Sequence, residues 1–266
     1  MPYDAPELTV ETKDFVATVE IQRPPHNFFD FALIRQIADI YEAIDQDPSV
    51  RAIVLCANGK SFCAGANFGD GSTVQADGSV EGSVNKLGID HLYMEAVRVF
   101  SCKTPVVASI QGAAIGGGLG LAMSADFRVG CPETRMAANF TRLGFHPGFG
   151  LTHTLPRILG HQKASLLCLT ARRLKGEEAL EWGLLDDFAT QDTVRQKAWD
   201  LAREIAINSP LALASTRDTL RKGLADAVKA QTDHELIEQT WLRKTEDFKE
   251  GVAATHDRRL PNWAGK

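Results

Sequence analysis

Apolar and polar positions along this chain follow two different periods, and the changes between them predict its strands and helices. Residues 8–10 and 15–21 are short apolar-rich segments, which predict two strands joined by a polar turn. From Phe31 to Ile44 apolar side chains recur at helical spacing, and Asp30 is placed to cap the first turn. The apolar run at 52–56 predicts a buried strand. Strand, helix and strand in this order indicate an α/β fold.

The same order recurs further along the chain. Residues 87–102 regain helical spacing, and the Thr-Pro pair at 104–105 breaks the helix before an apolar strand at 106–110. A glycine-dense turn and a helix-competent segment follow, so we predict a coiled stack of similar structural turns. Between the two halves, residues 68–88 are rich in Gly, Ser and Asp and lack apolar periodicity. We interpret that segment as a lid or a binding loop.

The last part of the chain is predicted to be almost entirely helical. Helical spacing occurs at 155–159, 162–169 and 176–182, with Gly183 as a C-cap. Beyond residue 190 we predict helices at 194–207, 211–222 and 224–248. We divide the chain into a core domain, 1–208, and a helical oligomerisation region, 209–266. The second region has too little periodic apolar surface for a core of its own, so it should pack on its own core or on a neighbouring subunit.

Composition narrows the possible classes of protein. The 266 residues are 44% hydrophobic and 24% charged, which is ordinary for a globular chain. A net charge of −5 gives no electrostatic reason to expect nucleic acid. The amino terminus has no basic segment followed by an apolar one, so we expect no signal peptide, no membrane association and a cytoplasmic location. Five separated cysteines without a CxxC pair predict reduced thiols, with no metal and no cofactor.

Two glycine-containing turns carry the candidate chemistry. Gly116, Gly117 and Gly118 follow a predicted strand and remove every Cβ where a helix begins. The first N–H groups of a helix lack intrahelical partners and lie at the positive end of its dipole, so they attract an anion or a polarised carbonyl. The segment NGKSFCAGAN at 58–67 follows another buried strand. Each turn can supply one N–H to a single oxygen, as an oxyanion hole requires; alternatively, both are structural turns.

These two motifs resemble the crotonase superfamily, the enoyl-CoA hydratase and isomerase family. The resemblance rests on SFCAGA and QGAAIGGGLGLAMSAD, on their separation, and on the segments 23–27, 105–110, 143–159 and 246–251. It implies a spiral core of repeated β-β-α turns and a C-terminal helical trimerisation region, in homotrimers commonly paired into homohexamers. It also implies an acyl-CoA thioester as the small-molecule substrate.

The resemblance assigns roles to particular residues. Ala66 and Gly117 would donate the two oxyanion-hole N–H groups to the thioester carbonyl. Coenzyme A would contact Arg23, the peptide from Asn27, and the backbone around Cys63, Ala64 and Ala66. Arg23 can equally be a solvated surface charge, which is the commonest fate of a lone arginine.

The chain departs from the family pattern at the proton-transfer positions. Hydratases of the family carry glutamates where this chain has Gly120 and Phe140, and a dehalogenase-like branch carries an aspartate where it has Gly148. Glycine and phenylalanine cannot transfer a proton. His146 lies nearby in the sequence, and an imidazole can act as a general acid or base without a carboxylate. The alternative for His146 is a hydrogen-bonded loop histidine.

We therefore expect an acyl-CoA-processing lyase or isomerase of the hydratase/isomerase family that stabilises a thioester enolate with two backbone N–H groups. Its acid–base residue would be non-standard. One alternative is an acyl-CoA-binding protein without hydratase activity. Another is a hydrolase or isomerase of the same family that uses His146. The acyl group, and the choice between trimer and hexamer, stay open at this point.

Overall fold

Nine strands form two sheets in the residues that the computed structural model describes, 5–67 and 91–266. The predicted lid at 68–88 lies outside these residues. The strands are Leu8–Lys13 (β1), Val16–Ile21 (β2), Ala52–Ala57 (β3), Val106–Ile110 (β4), Ala113–Ile115 (β5), Phe127–Gly130 (β6), Arg135–Ala137 (β7), Leu174–Lys175 (β8) and Asp187–Phe188 (β9).

The two sheets are built by one repeating path of the chain. Six strands form a sheet in the order β1-β2-β3-β4-β6-β9, in which only β1 and β2 are antiparallel. The other sheet has the order β5-β7-β8. After β4 and again after β6 the chain passes from the large sheet into the small one. After β3, Cys63 makes a similar parallel bridge to Ala114 of β5. This path confirms the predicted spiral of β-β-α turns.

Helices complete each turn and cover the sheets. Outside residues 68–90, they are Phe31–Ile44 (α1), Leu92–Phe100 (α2), Gly117–Ser124 (α3), Leu151–Thr170 (α4), Gly176–Trp182 (α5), Val194–Ala206 (α6), Pro210–Leu220 (α7), Leu224–Leu242 (α8) and Glu246–His256 (α9), with a 3₁₀ helix at Asn139–Leu143. Helix α1 has the predicted bounds, and the Asp30 side chain accepts a hydrogen bond from Leu33 N at 2.9 Å.

Both faces of the large sheet are buried at its central strands β3 and β4. One face packs into the main core with α1 and α2, where Leu33, Ile37 and Leu55 are fully buried. The opposite face packs on α6, where Val54 and Ala202 belong to a second apolar cluster. Burial on both faces explains why β3 and β4 are continuous apolar runs instead of alternating ones.

The C-terminal helices differ from the prediction at one point. A single helix at 224–248 was predicted, and this is wrong, because the chain breaks between α8 and α9. The Thr245 side chain accepts a hydrogen bond from Phe248 N at 3.1 Å and caps the new helix. Helix α8 packs on α2 and α4, and α9 packs on the 3₁₀ helix. The C-terminal region thus packs on its own core, while its separation at residue 208 stays a prediction.

Two further features bear on the class of protein. All five cysteines are free, and only Cys168 is more than marginally accessible. None of the helices in the described ranges is long and apolar enough to cross a membrane.

Candidate functional site

The two glycine-containing motifs meet at one cavity of about 70 Å³, which we call the central cavity. Strand β3 leads into the first motif, and β4 and β5 lead into the second, so the parallel strands deliver both motifs to the same end of the large sheet. The central cavity is lined by Phe29, Ala64, Gly65, Ala66, His91, Leu92, Tyr93, Ile115, Gly116, Gly117, Asn139, Phe140, Leu143, Phe145 and Arg243.

Backbone hydrogen bonds fix the two motifs against each other. Cys63 N donates to Ala113 O at 2.9 Å, and Ile115 N donates to Cys63 O at 3.0 Å. The start of α3 approaches the same peptide so closely that a Cβ at Gly118 would lie 2.1 Å from Cys63 O. Glycine at position 118 is therefore a steric requirement of this junction.

The predicted oxyanion-hole residues lie together in the central cavity. Gly117 is the first residue of α3, so its N–H has no intrahelical partner. In the described part of the chain, neither Ala66 N nor Gly117 N donates to a protein acceptor. Two unpaired N–H groups in one cavity are suited to a single polarised oxygen.

Phe29 forms the wall of the cavity beside Gly117. A Cβ at Gly117 would lie 2.2 Å from Cζ of Phe29, so only glycine leaves room for this ring. Phe29 in turn contacts Phe149 edge-on, with ring centroids 5.8 Å apart.

The three positions at which the resemblance leads us to expect carboxylates, 120, 140 and 148, lie in apolar or filled space. Phe140 lines the central cavity and packs edge-on against Phe145, with centroids 5.2 Å apart. A Cβ at Gly120 would lie 2.6 Å from Cβ of Phe149. At Gly148 it would lie 1.8 Å from the hydroxyl of Tyr93. Phenylalanine and tyrosine side chains thus occupy the space beside both glycines.

His91 is a titratable residue of the central cavity that the sequence did not single out. Its Nδ1 accepts a hydrogen bond from Tyr93 N at 3.2 Å, which leaves the ring proton on Nε2. Nε2 is buried and has no protein partner. Burial and, to a smaller extent, the neighbouring Arg243 charge together lower the pKa of His91 to about 4, so the imidazole is neutral at pH 7.

Arg243 provides the positive charge of the central cavity. Its Nη2 donates to Oε1 of Gln239 at 2.6 Å, and its guanidinium lies over the Phe145 ring at 5.3 Å. The same Oε1 accepts from the Tyr93 hydroxyl at 3.0 Å. Nε of Arg243 is buried without a partner. Burial lowers the pKa of Arg243, and the nearby Tyr93 opposes that shift.

Nothing in the sequence pattern indicates that His91 and Arg243 meet. His91 caps α2, and Arg243 follows the last residue of α8. They come together because α8 packs on α2. A tertiary contact over this sequence separation leaves no local signal.

The residues predicted to bind coenzyme A are divided between two settings. Ala64 and Ala66 line the central cavity. Arg23 forms ion pairs with Glu7 and Asp30, and its Nη1 donates to Phe28 O at 3.1 Å.

Asn27 and Cys63 support the loop next to the cavity. The fully buried amide of Asn27 donates to Asn58 O and Ser61 O, each at 2.7 Å, which joins its loop to the first motif. Burial raises the pKa of the Cys63 thiol to about 12, so this thiol is neutral at pH 7.

His146 lies behind the central cavity and is not one of its lining residues within the described chain. Its Nδ1 is 2.8 Å from Pro147 O, and its ring meets His234 edge-on with centroids 5.9 Å apart. Its carbonyl accepts a hydrogen bond from Nε2 of Gln239 at 2.8 Å. His146 is thus connected to the cavity through Gln239.

Comparison with known proteins places the chain in one family. The enoyl-CoA hydratase/isomerase family model matches residues 11–266. The chain is 28% identical to 1,2-epoxyphenylacetyl-CoA isomerase of Escherichia coli strain K12, over 94% of this chain and 95% of that protein. It is 30% identical to 2,3-dehydroadipyl-CoA hydratase of the same strain, over 98% of this chain and 99% of that protein.

A solved structure agrees with this assignment. The enoyl-CoA hydratase/isomerase from Pseudoalteromonas atlantica T6c superimposes with a TM-score of 0.84 at 27% identity, over 97% of this chain and all of that one. The protein therefore belongs to the enoyl-CoA hydratase/isomerase family of the crotonase superfamily.

Proposed function

We propose that the central cavity binds the acyl group of an acyl-CoA thioester, with the thioester oxygen accepting hydrogen bonds from Ala66 N and Gly117 N. The observation that carries the proposal is that these two residues, from separate motifs, line one cavity and that their N–H groups lack acceptors within the described residues. Removing a proton beside a thioester, or adding a nucleophile to an enoyl thioester, places negative charge on that oxygen. Hydrogen-bond donors that are fixed in place at this oxygen stabilise the charge and lower the activation barrier.

The proposed reaction is that of a lyase or isomerase of this family with a non-standard acid–base residue. Gly120 and Phe140 offer no carboxylate, and among the described lining residues only His91, Tyr93 and Arg243 are titratable. The neutral imidazole of His91, with its proton on Nε2, is a hydrogen-bond donor in the cavity, and His146 stays the acid–base candidate from the sequence. Arg23 and Asn27 remain proposed contacts of coenzyme A, and trimeric or hexameric assembly and a cytoplasmic location remain predictions.

The second candidate function is acyl-CoA binding without hydratase activity. The observation that favours it is the filled space around Gly120, where Phe149 lies within 2.6 Å of the missing Cβ. An acyl-CoA would then be held and polarised without a partner that completes proton transfer.

A pair of ligands tests the proposed carbonyl contact directly. Hexanoyl-CoA and the thioether S-hexyl-CoA differ only in the carbonyl group, and isothermal titration calorimetry measures both affinities. Loss of two hydrogen bonds predicts at least about tenfold weaker binding of the thioether. Equal affinities would contradict the oxyanion-hole assignment.

Turnover separates the two candidate functions. The protein should be incubated with crotonyl-CoA, while the loss of conjugated absorbance is followed, and then with β-ketoacyl- and hydroxyacyl-CoA thioesters. Any turnover supports the enzyme. Tight binding with no turnover across the panel supports the binding protein.

A further inference from the structure

Arg243 is a cation in the wall of the central cavity that no carboxylate of residues 5–67 and 91–266 neutralises. None of the ion pairs in residues 5–67 and 91–266 includes Arg243, whereas the buried Arg128 and Arg217 are paired with Asp186 and Asp126. Removing a charge from water without a counterion is costly, so buried arginines are normally paired. Arg243 thus has the environment of a group that is paired when ligand is bound.

We propose that the protein selects acyl-CoA thioesters whose acyl group ends in a carboxylate, which pairs with Arg243 and accepts a second hydrogen bond from Nε2 of His91. This inference rests on the proposed function, because it requires the thioester to lie at Ala66 and Gly117 in the same cavity. It adds the chemical class of the acyl group, an ω-carboxyacyl chain.

The guanidinium is held in place before any ligand arrives. Gln239 is fully buried, and its Oε1 accepts from both Arg243 and the Tyr93 hydroxyl, while its Nε2 donates to His146 O. These three hydrogen bonds fix the amide in one orientation. The Phe145 ring supports the other side of the guanidinium. A fixed planar cation loses little conformational entropy when it pairs with a carboxylate.

His91 supplies a second hydrogen-bond donor for the ligand carboxylate. Its Nδ1 is occupied by Tyr93 N, so the buried and unpartnered Nε2 carries a proton. The imidazole is held next to Tyr93 by an edge-on ring contact with centroids 4.5 Å apart. Nε2 of His91 and Nε of Arg243 are buried donors without acceptors in residues 5–67 and 91–266, and the carboxylate of a ligand would supply acceptor oxygens.

The rest of the described lining explains why a charged tail would be recognised at one place only. Phe29, Phe140, Leu143 and Phe145 form apolar wall, which suits the methylene part of an acyl chain. Beside the peptides of Ala66 and Gly117, the polar side chains of this described lining are His91, Tyr93, Asn139 and Arg243, and Arg243 is the cation among them. An acyl chain with an oxygen at each end matches this arrangement.

Calorimetry with matched ligands tests the inference. The ligands are glutaryl-, adipoyl- and pimeloyl-CoA, the monomethyl ester of each acyl group, and hexanoyl-CoA. The ester keeps the chain and removes the charge. We expect at least one free acid to bind about 10- to 100-fold more tightly than its ester, because a charged hydrogen bond is lost in the ester.

Variants assign that preference to Arg243. In Arg243→Met the preference for the free acid over its ester should disappear, and Arg243→Lys should keep part of it. His91→Phe should reduce the preference. Lys244→Met is the matched control, because it removes an exposed neighbouring charge and should leave the preference unchanged.

Each outcome bears on one proposal. If the wild-type protein binds hexanoyl-CoA but shows no preference in any acid and ester pair, the inference about Arg243 is wrong and the proposed function stands. If Lys244→Met abolishes the preference as fully as Arg243→Met, long-range charge explains it and the inference is wrong. If no acyl-CoA binds, both proposals fail. The wild-type comparison needs no variant, so a folding defect in Arg243→Met does not prevent the test.

Discussion

Replacement of Gly117 by alanine gives the sharpest test of how the central cavity holds a thioester. The new Cβ would lie 2.2 Å from Cζ and 2.3 Å from Cε1 of Phe29, whereas ordinary contact begins at 3.4 Å. Either the ring or the Gly117 peptide must therefore move by about 1.2 Å, the difference between 3.4 and 2.2 Å. Movement of the peptide displaces the N–H donor, and movement of the ring narrows the cavity.

The size of the effect follows from this displacement. Overpacking of this kind costs about 1–3 kcal/mol of stability. A displacement of about 1 Å at a reacting centre lowers a rate about 100-fold, and loss of one oxyanion donor costs about 100- to 1,000-fold. We therefore expect Gly117→Ala to lower any turnover about 100-fold and to remove the preference for hexanoyl-CoA over S-hexyl-CoA.

A second-site change distinguishes this mechanism from general damage. Phe29→Leu removes the ring atoms that the new Cβ would meet, so the double variant Gly117→Ala with Phe29→Leu should recover most of the carbonyl preference. Gly183→Ala is the control. Gly183 has φ 87°, so its replacement by alanine should lower stability. A Cβ at Gly183 would meet no heavy atom within 4 Å, so the preference for hexanoyl-CoA over S-hexyl-CoA should be unchanged.

Calorimetry and thermal unfolding of these variants and the wild type complete the measurement. A folded Gly117→Ala protein that still prefers hexanoyl-CoA with its full affinity would refute the assignment of Gly117 N. An equal loss of the preference for hexanoyl-CoA in Gly183→Ala would also refute this assignment.

Three further predictions concern positions 120 and 140, the buried Glu235 of α8, which accepts a hydrogen bond from Gly150 N at 2.8 Å, and His146. Gly120→Glu should lower the thermal unfolding midpoint, because Phe149 fills the space beside residue 120. Phe140→Glu places a carboxylate in the central cavity, so it should raise the rate of any crotonyl-CoA hydration. An unchanged hydration rate would show that the cavity cannot use a carboxylate at position 140. Burial raises the pKa of Glu235 from 4.5 to about 7. The contribution of protonated Glu235 to the free energy of unfolding is therefore complete below about pH 4.5 and is lost as the pH rises through about 7. Glu235→Gln should flatten the dependence of the unfolding free energy on pH in that window, and an unchanged slope would contradict the assignment. His146→Gln should retain turnover, because the His146 ring contacts Pro147 O and His234 outside the cavity. If this variant loses turnover and keeps its acyl-CoA affinity, His146 is the acid–base residue.

The sequence predicts the parts of this structure that depend on local pattern. Helix α1 has its predicted bounds because apolar period and the Asp30 cap agree. The two strand-to-turn motifs were predicted to supply one N–H each to a single oxygen, and the family resemblance assigned these donors to Ala66 and Gly117. The break at Thr245 was missed because helical composition continues on both sides of a single capping hydroxyl. Arg243 was missed because only the packing of α8 on α2 brings it to the cavity.

Gln239 and Arg243 have a consequence for how this family diversifies. They belong to the C-terminal segment, whereas the peptides of Ala66 and Gly117 belong to the spiral core, so one cavity is assembled from two stretches of chain. If both proposals hold, the core stretch meets the part of the ligand that every acyl-CoA shares, and the C-terminal stretch meets the part in which acyl groups differ. Mutation can then change ligand preference in the last helices while the thioester contact is left alone. Exchange of the C-terminal region, 209–266, between relatives should therefore transfer the preference for one acyl group over another.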